Sequence, residues 1–219
     1  TMEIESIDAD AFSTVIISKN DKIRLSVKFT SPTLVTDLYY ASRPVAYCKV
    51  SYEAIDGAQH SVKVKFSCTE EFVLNKEGEG RAYSRNVPVD GMTVIKMGNG
   101  EQNILHTSGD DIRIDWGFFY LGVVGEGYAD NEAYDEMYAV FCEKKIDGEA
   151  LFVFAYDDIE SIVYFNDHLK AYWKKDGKTI EEAIAEAAEE YDELVKKCTE
   201  FSDRIKAEAL EKGGEDYAE

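Results

Sequence analysis

The spacing of apolar residues changes period once along this chain, and the change divides it into a strand-built part and a helix-built part. Over residues 22–30, Ile23, Leu25, Val27 and Phe29 alternate with Lys22, Arg24, Ser26 and Lys28. A period of two belongs to a strand with one buried face and one wet face. Ala46, Cys48, Val50 and Tyr52 alternate in the same way, as do Val62, Val64, Phe66 and Cys68 beyond Asp56-Gly57. Two such runs about a short glycine-containing connection predict an antiparallel hairpin. Residues 137–145 and 150–156 about Asp147-Gly148 predict a second one. Residues 13–18, 92–97, 112–116 and 118–124 add further strands, and 75–86 and 125–135, rich in glycine and charge, read as long loops. About eight or nine strands without intervening helices predict an antiparallel β-sandwich.

After Asp176-Gly177 the period becomes helical. Thr179 followed by Glu182 fits a capping box at a helix start. Ile180, Ile184, Ala187, Tyr191, Leu194, Cys198, Phe201 and Ile205 then recur at spacings of three and four, one continuous apolar seam. Gly213-Gly214 ends it, with Lys206 and Lys212 near the negative end of the dipole. At 1.5 Å per residue such a helix is about 50 Å long. Its seam needs a cover, because propensity alone seldom holds a helix in water. The sandwich, a further domain or a second copy would each serve. The chain therefore reads as mainly β, an antiparallel β-sandwich over 1–175 followed by a long C-terminal α-helix within 176–219.

Composition narrows the function classes. The 14 Tyr, 11 Phe and 2 Trp are too many aromatics for a disordered chain. No apolar run approaches the roughly 18 residues of a membrane-spanning helix. The 44 acidic residues against 24 basic ones give a net charge of -20, which argues against nucleic acid or an anionic membrane as partner. The opening Thr1-Met2-Glu3 carries no secretory pattern, so the cytoplasm is the expected compartment. Cys48, Cys68, Cys142 and Cys198 and the three histidines have no metal-ligand spacing, so no metal is expected and the thiols read as packing groups. Cys48 and Cys68 flank the Asp56-Gly57 turn almost evenly, which leaves a cross-strand disulfide open as the less favoured alternative. Phosphate loops, dinucleotide fingerprints and nucleophile elbows are absent, so no cofactor is expected.

The densest polar and aromatic stretch is 108–120. On a strand over 112–116, Asp111, Arg113 and Asp115 share one face, and Trp116 lies on the other with Ile112 and Ile114. Mixed charges two residues apart orient a polar substrate, and two carboxylates serve as an acid and base pair when burial separates their pKa values. An exposed strand face with an internally paired arginine has the same pattern. Asp157 and Asp158 end the apolar run 151–156 and suit either a site or a turn. Trp116, Tyr120, Tyr172 and Trp173 suit either a sugar-stacking surface or the core. The acidic stretch 126–136 lacks the glycine and terminal glutamate of a calcium loop.

Several stretches taken in order resemble the glutaminase A family: Ser42-Arg-Pro-Val-Ala-Tyr47, Ser108-Gly-Asp-Asp-Ile-Arg-Ile-Asp-Trp-Gly117, residues 155–165, Ala171-Tyr-Trp173 and residues 213–218. The resemblance implies a sandwich region placed ahead of a larger helical domain, which would be its intramolecular partner. It also implies an accessory role in a glutaminase-like amidohydrolase, the parent converting L-glutamine to L-glutamate and ammonia. It transfers no catalytic residue to this chain. Asp111, Arg113, Asp115, Trp116, Asp157 and Asp158 are then the candidates for facing a substrate or a neighbouring domain. Two other readings stay open: a carbohydrate-binding sandwich, and a non-enzymatic module dimerising through the helix seam.

Overall fold

The computed structural model describes residues 1–76, 80–106, 109–110 and 113–218. Among these the strands are β1 (Glu3–Ala9), β2 (Ser13–Lys19), β3 (Ile23–Thr30), β4 (Val45–Ala54), β5 (Val62–Thr69), β6 (Ala82–Val89) and β7 (Met92–Asn99). Then come β8 (Phe118–Val124), β9 (Tyr128–Tyr134), β10 (Met137–Ile146), β11 (Glu149–Asp157), β12 (Ile162–Tyr164) and β13 (Asp167–Leu169). The helices are α1 (Leu38–Ser42), α2 (Ile180–Glu189), α3 (Tyr191–Gly213) and α4 (Glu215–Ala218). The fold is mainly β, as the periodicity indicates, with the long helix at the C-terminal end. None of the described helices is long and apolar enough to cross a membrane.

An eight-stranded antiparallel sheet in the order β1-β2-β3-β4-β11-β8-β7-β6 forms the central layer. A three-stranded sheet, β5-β10-β9, covers part of one face, and β12 pairs with β13 in a separate ribbon. Helices α2 and α3 cover the other face. The central strands are consequently buried on both sides. Along β4, Val45 and Tyr47 enter the core under the helices while Cys48 and Val50 enter the core between the sheets. On β11, Val153 and Ala155 divide from Ala150 and Phe152 in the same way.

This double burial corrects the two expected hairpins. β4 pairs with β3 and β11, and β5 pairs with β10, so the Asp56-Gly57 connection crosses from one sheet to the other. The Asp147-Gly148 connection likewise carries the chain from β10 in the small sheet to β11 in the large one. Strands apolar on both faces belong at the centre of a covered sheet, and the crossings place β4 and β11 there. Cys48 therefore lies opposite Phe29 and Phe152, and Cys68 opposite Val140. All four cysteines are buried and free. The expected loops also change. Residues 75–86 include the start of β6, and 125–135 consist largely of β9, an edge strand in which only Ala129 is fully buried, so its alternation is hidden. The expected strand over 112–116 does not form: residues 113–115 are irregular, and Ile112 lies outside the described residues.

The expected single helix is two. Thr179 and Glu182 form the capping box and start α2. The helix breaks at Glu190, with φ -92 and ψ 5. A continuous helix would give the Ala187 carbonyl to the Tyr191 N–H; instead it accepts the Tyr47 phenol at 3.0 Å. A side chain inserted into the helical ladder is an established cause of a kink. The seam itself is covered by the large sheet: Ile180, Ile184, Ala187, Tyr191, Leu194 and Cys198 are buried, and Phe201 meets Phe12 edge-on at 5.7 Å. Ile205 is exposed, where the seam runs off the sheet.

Candidate functional site

The sequence candidates meet where β11 ends beside the start of β8, since Asp157 is the register partner of Phe118. Gly117 makes the junction. Its φ is +81, and a Cβ there would stand 2.3 Å from the Asp157 carbonyl oxygen. The Trp116 indole N–H donates to the Asp158 carbonyl at 2.8 Å, and the Tyr156 phenol donates to the Trp116 carbonyl at 2.5 Å. Gln102 accepts from the Gly117 N–H at 2.6 Å and donates to the Asn99 carbonyl at 2.8 Å. Asn99 in turn donates to the Asp115 carbonyl at 3.1 Å. Burial, then the carboxylates of Asp158, Asp115 and Asp157, push the Tyr156 phenol well above its ordinary range, which keeps it protonated as a donor.

The two aspartates have local partners. Asp157 accepts from the Ile159 N–H at 2.8 Å and from the Lys174 ammonium, which also donates to the Ile159 carbonyl at 3.1 Å. Asp158 lies 3.8 Å from the same ammonium and accepts from the Ser161 hydroxyl. Ile159 takes φ +61, a costly conformation for a β-branched residue, and these bonds hold it there. The result is a rigid elbow leading out of β11.

Asp115, Trp116, Asp157 and Asp158 are thus brought together. Arg113 is not. It is exposed, its N–H donates to Asn75 at 2.8 Å, and its guanidinium reaches Glu71 at 3.1 Å. Asp111 lies outside the described residues. The strand face expected to join Asp111, Arg113 and Asp115 does not exist among the described residues, because residues 113–115 leave the sheet. Of the four aromatics, Tyr120 and Trp173 are each 2% exposed, Trp116 is half-buried with its N–H bonded, and only Tyr172 is open to solvent. Among the described residues no three His, Cys, Asp or Glu side chains gather to hold a metal ion.

The elbow delivers a feature that the sequence reading missed. β12 and β13 form a ribbon in which Ile162 faces Leu169, Val163 faces His168 and Tyr164 faces Asp167. Phe165 and Asn166 turn it, at φ +48 and +69, the signs of a type I′ turn. Every residue from Ser161 to Lys170 is exposed, and Phe165 reaches 83%. The base is tied by the Ser161 N–H donating to the Leu169 carbonyl at 2.9 Å and by His168 against Glu160 at 2.5 Å. The available signal was the run Ile162-Val163-Tyr164-Phe165 before Asn166, a strand and turn pattern. Lys174, the cation that neutralises the elbow, sits in the run Tyr172-Trp-Lys-Lys175 and had no local signature.

Gly117→Ala is expected to cost about 2–3 kcal/mol, since it combines left-handed strain with a backbone clash. Gly57→Ala, at φ +75 with no heavy atom within 4 Å, keeps only the strain and should cost about 1 kcal/mol. Urea unfolding of the two variants checks the difference, and equal costs would remove the assigned role of Gly117.

A family model described as a domain of unknown function (DUF5127) matches residues 12–145. No curated protein matches the chain. The match corrects the resemblance to the glutaminase A family, because the family found is a different one and no glutaminase family is found. The stretches that carried the resemblance have structural work instead. Arg43 and Tyr47 hold the helices, and residues 115–117 and 156–158 build the elbow.

Proposed function

The chain belongs to the DUF5127 family, and because that family's description assigns no activity, we propose a function from the surface itself: an accessory, non-catalytic interaction module that docks a folded protein through the β12–β13 ribbon. The exposed ribbon carries the reading. Two isolated strands are marginal in water, and five apolar side chains, Ile162, Val163, Tyr164, Phe165 and Leu169, are each more than 40% exposed on this one. The elbow fixes the ribbon's base, so little ordering entropy opposes docking. The local charge agrees. Residues 157–178 hold five carboxylates and four lysines, nearly neutral in a chain of net charge -20, and the cores of protein interfaces are depleted in charge. The helix seam is already covered by the sheet, and three of the four aromatics considered for sugar stacking are wholly or partly buried. The ribbon is the stronger candidate surface.

A photo-reactive phenylalanine analogue at Phe165, in cells that express the chain, is expected to give one discrete protein adduct. The same analogue at Tyr134, also exposed but remote in the register, should not. Phe165→Asp is expected to shift folding stability by less than about 0.5 kcal/mol and to abolish binding of the identified protein in a purified mixture. Equal adducts at both positions, or binding unaffected by Phe165→Asp, would overturn the proposal.

A further inference from the structure

Two charged side chains among the described residues are more than nine-tenths buried, Arg43 and Lys96. Arg43 is paired with Glu190. Lys96, 8% exposed, has neither a hydrogen bond nor an ion pair among the described residues. Val94, two residues earlier on β7, lies in the core under the helices, so Lys96 faces the same side of the large sheet. Its nitrogen lies 3.4 Å from the ring centroid of Phe118 and 5.5 Å from that of Tyr120. Gly98, the register partner of Phe118, lets that ring lie flat beneath the amine, since a Cβ there would stand 2.6 Å from it. The nitrogen is not sealed in and keeps an opening to solvent. A lysine kept for its stem alone sends its head into water; this head is laid on an aromatic ring.

Four polar groups surround it. Arg85 and Tyr120 are its register partners on β6 and β8 and share its face. Arg85 sits on the edge strand, exposed and without an ion pair among the described residues. Glu181, in the first turn of α2, accepts from the Tyr120 phenol at 3.3 Å. Asp157 is already held by Lys174. Burial, then the Arg85 charge, lowers the Lys96 pKa, against the opposing pull of Glu181 and Asp157. An amine desolvated beside a second cation sheds its proton readily and becomes a nucleophile towards carbonyl carbon.

We infer that Lys96 captures a small 2-oxo acid as an imine, with the substrate's carboxylate held by Arg85. The neutral amine's lone pair adds to the carbonyl carbon. Both amine hydrogens then leave with the carbonyl oxygen as water, and a C=N bond remains. A free guanidinium in the same row supplies the planar fork that a carboxylate fits. Phe118 and Tyr120 shield one side of the adduct from water.

The probe is glyoxylate, with cyanoborohydride to reduce each imine to a stable secondary amine and peptide mass mapping to locate it. Glycolaldehyde, which lacks the carboxylate, is the comparison. Lys170, exposed and without an ion pair among the described residues, is the internal reference. In the folded chain at neutral pH, glyoxylate is expected to modify Lys96 at least about tenfold faster than Lys170, and in urea the preference should vanish. Glyoxylate should also outpace glycolaldehyde at Lys96. Arg85→Gln, at an exposed position, should remove that advantage while the melting temperature is kept. Lys96 reacting no faster than Lys170, or a preference that persists in urea, would overturn the capture site. Equal rates for the two aldehydes, or an advantage untouched by Arg85→Gln, would overturn the 2-oxo acid as its substrate.

Discussion

Arg43→Ala is expected to destabilise the fold by about 3 kcal/mol, the cost of removing a buried cation and leaving a half-buried carboxylate without it. Arg43 is 4% exposed, and its guanidinium pairs with the Glu190 carboxylate at the break between α2 and α3. Its planar head lies 5.3 and 5.1 Å from the ring centroids of Tyr39 and Tyr40, and it reaches the Tyr47 hydroxyl at 3.4 Å. Glu190 also accepts from the Tyr40 phenol at 3.1 Å. Removing the arginine strands Glu190 and loosens the tyrosine that takes the Ala187 carbonyl. Arg43→Lys should recover little, since an ammonium cannot stack between two rings and serve two acceptors as a planar fork does. The Arg43→Ala, Glu190→Ala double variant should be more stable than Arg43→Ala alone, because no orphan charge remains. Urea unfolding of the set tests this, and a cost below 1 kcal/mol for Arg43→Ala would mean that the pair does not hold the kink.

The second large effect is alkaline. Burial pushes the thiols up from an ordinary 9.0, Cys48 and Cys142 to about 12, and Cys68 and Cys198 to about 11. The folded chain therefore holds these protons more tightly than the unfolded chain. Their contribution to stability is complete below pH 9 and is lost as pH rises through 9 toward the folded values. Each thiol contributes about 1.4 kcal/mol per pH unit once the unfolded thiols ionise, so four together approach a limiting slope of about 5.6 kcal/mol per unit. Burial raises the phenols as well, Tyr191 to about 12 and Tyr47 and Tyr120 further, and their loss begins above an ordinary 10.0. Lys96 opposes this trend. It is 8% exposed, its ammonium lies 3.4 Å from the Phe118 ring centroid, and burial lowers its pKa, so its penalty is relieved as pH rises. One lysine against four thiols does not change the sign. Urea unfolding under reducing conditions from pH 7 to 10.5 is expected to show stability falling steeply above 9, and Cys48→Ala should reduce the slope by about one proton. A flat profile between pH 9 and 10 would refute the thiol assignment.

The strands were legible where one face is apolar and the other wet, as in β3, and the start of α2 was legible because Thr179 and Glu182 are local partners. What local pattern cannot carry is the choice of neighbour. A turn such as Asp56-Gly57 looks the same whether the chain folds back beside itself or crosses to another sheet. The helix break was hidden because its cause, the Tyr47 hydroxyl, lies 140 residues from Ala187. Asp157 and Asp158 were visible as a strand end, but their meeting with Trp116 depends on the β8–β11 register and their neutralisation on Lys174. The ribbon was hidden for the opposite reason: Ile162, Val163 and Tyr164 have the composition of a core strand and are exposed.

The two crossings also set an order of assembly. Within β1–β4 and within β6–β8 each strand pairs with the next in sequence, so each group forms by closing short loops. The seam that welds the groups is β11, which lies between β4 and β8 and pairs with β4 across about a hundred positions of chain, a separation that topology makes slow. During synthesis both half-sheets must wait with open edges until β11 leaves the ribosome. A nascent chain halted just before Glu149 should be the species most in need of a chaperone.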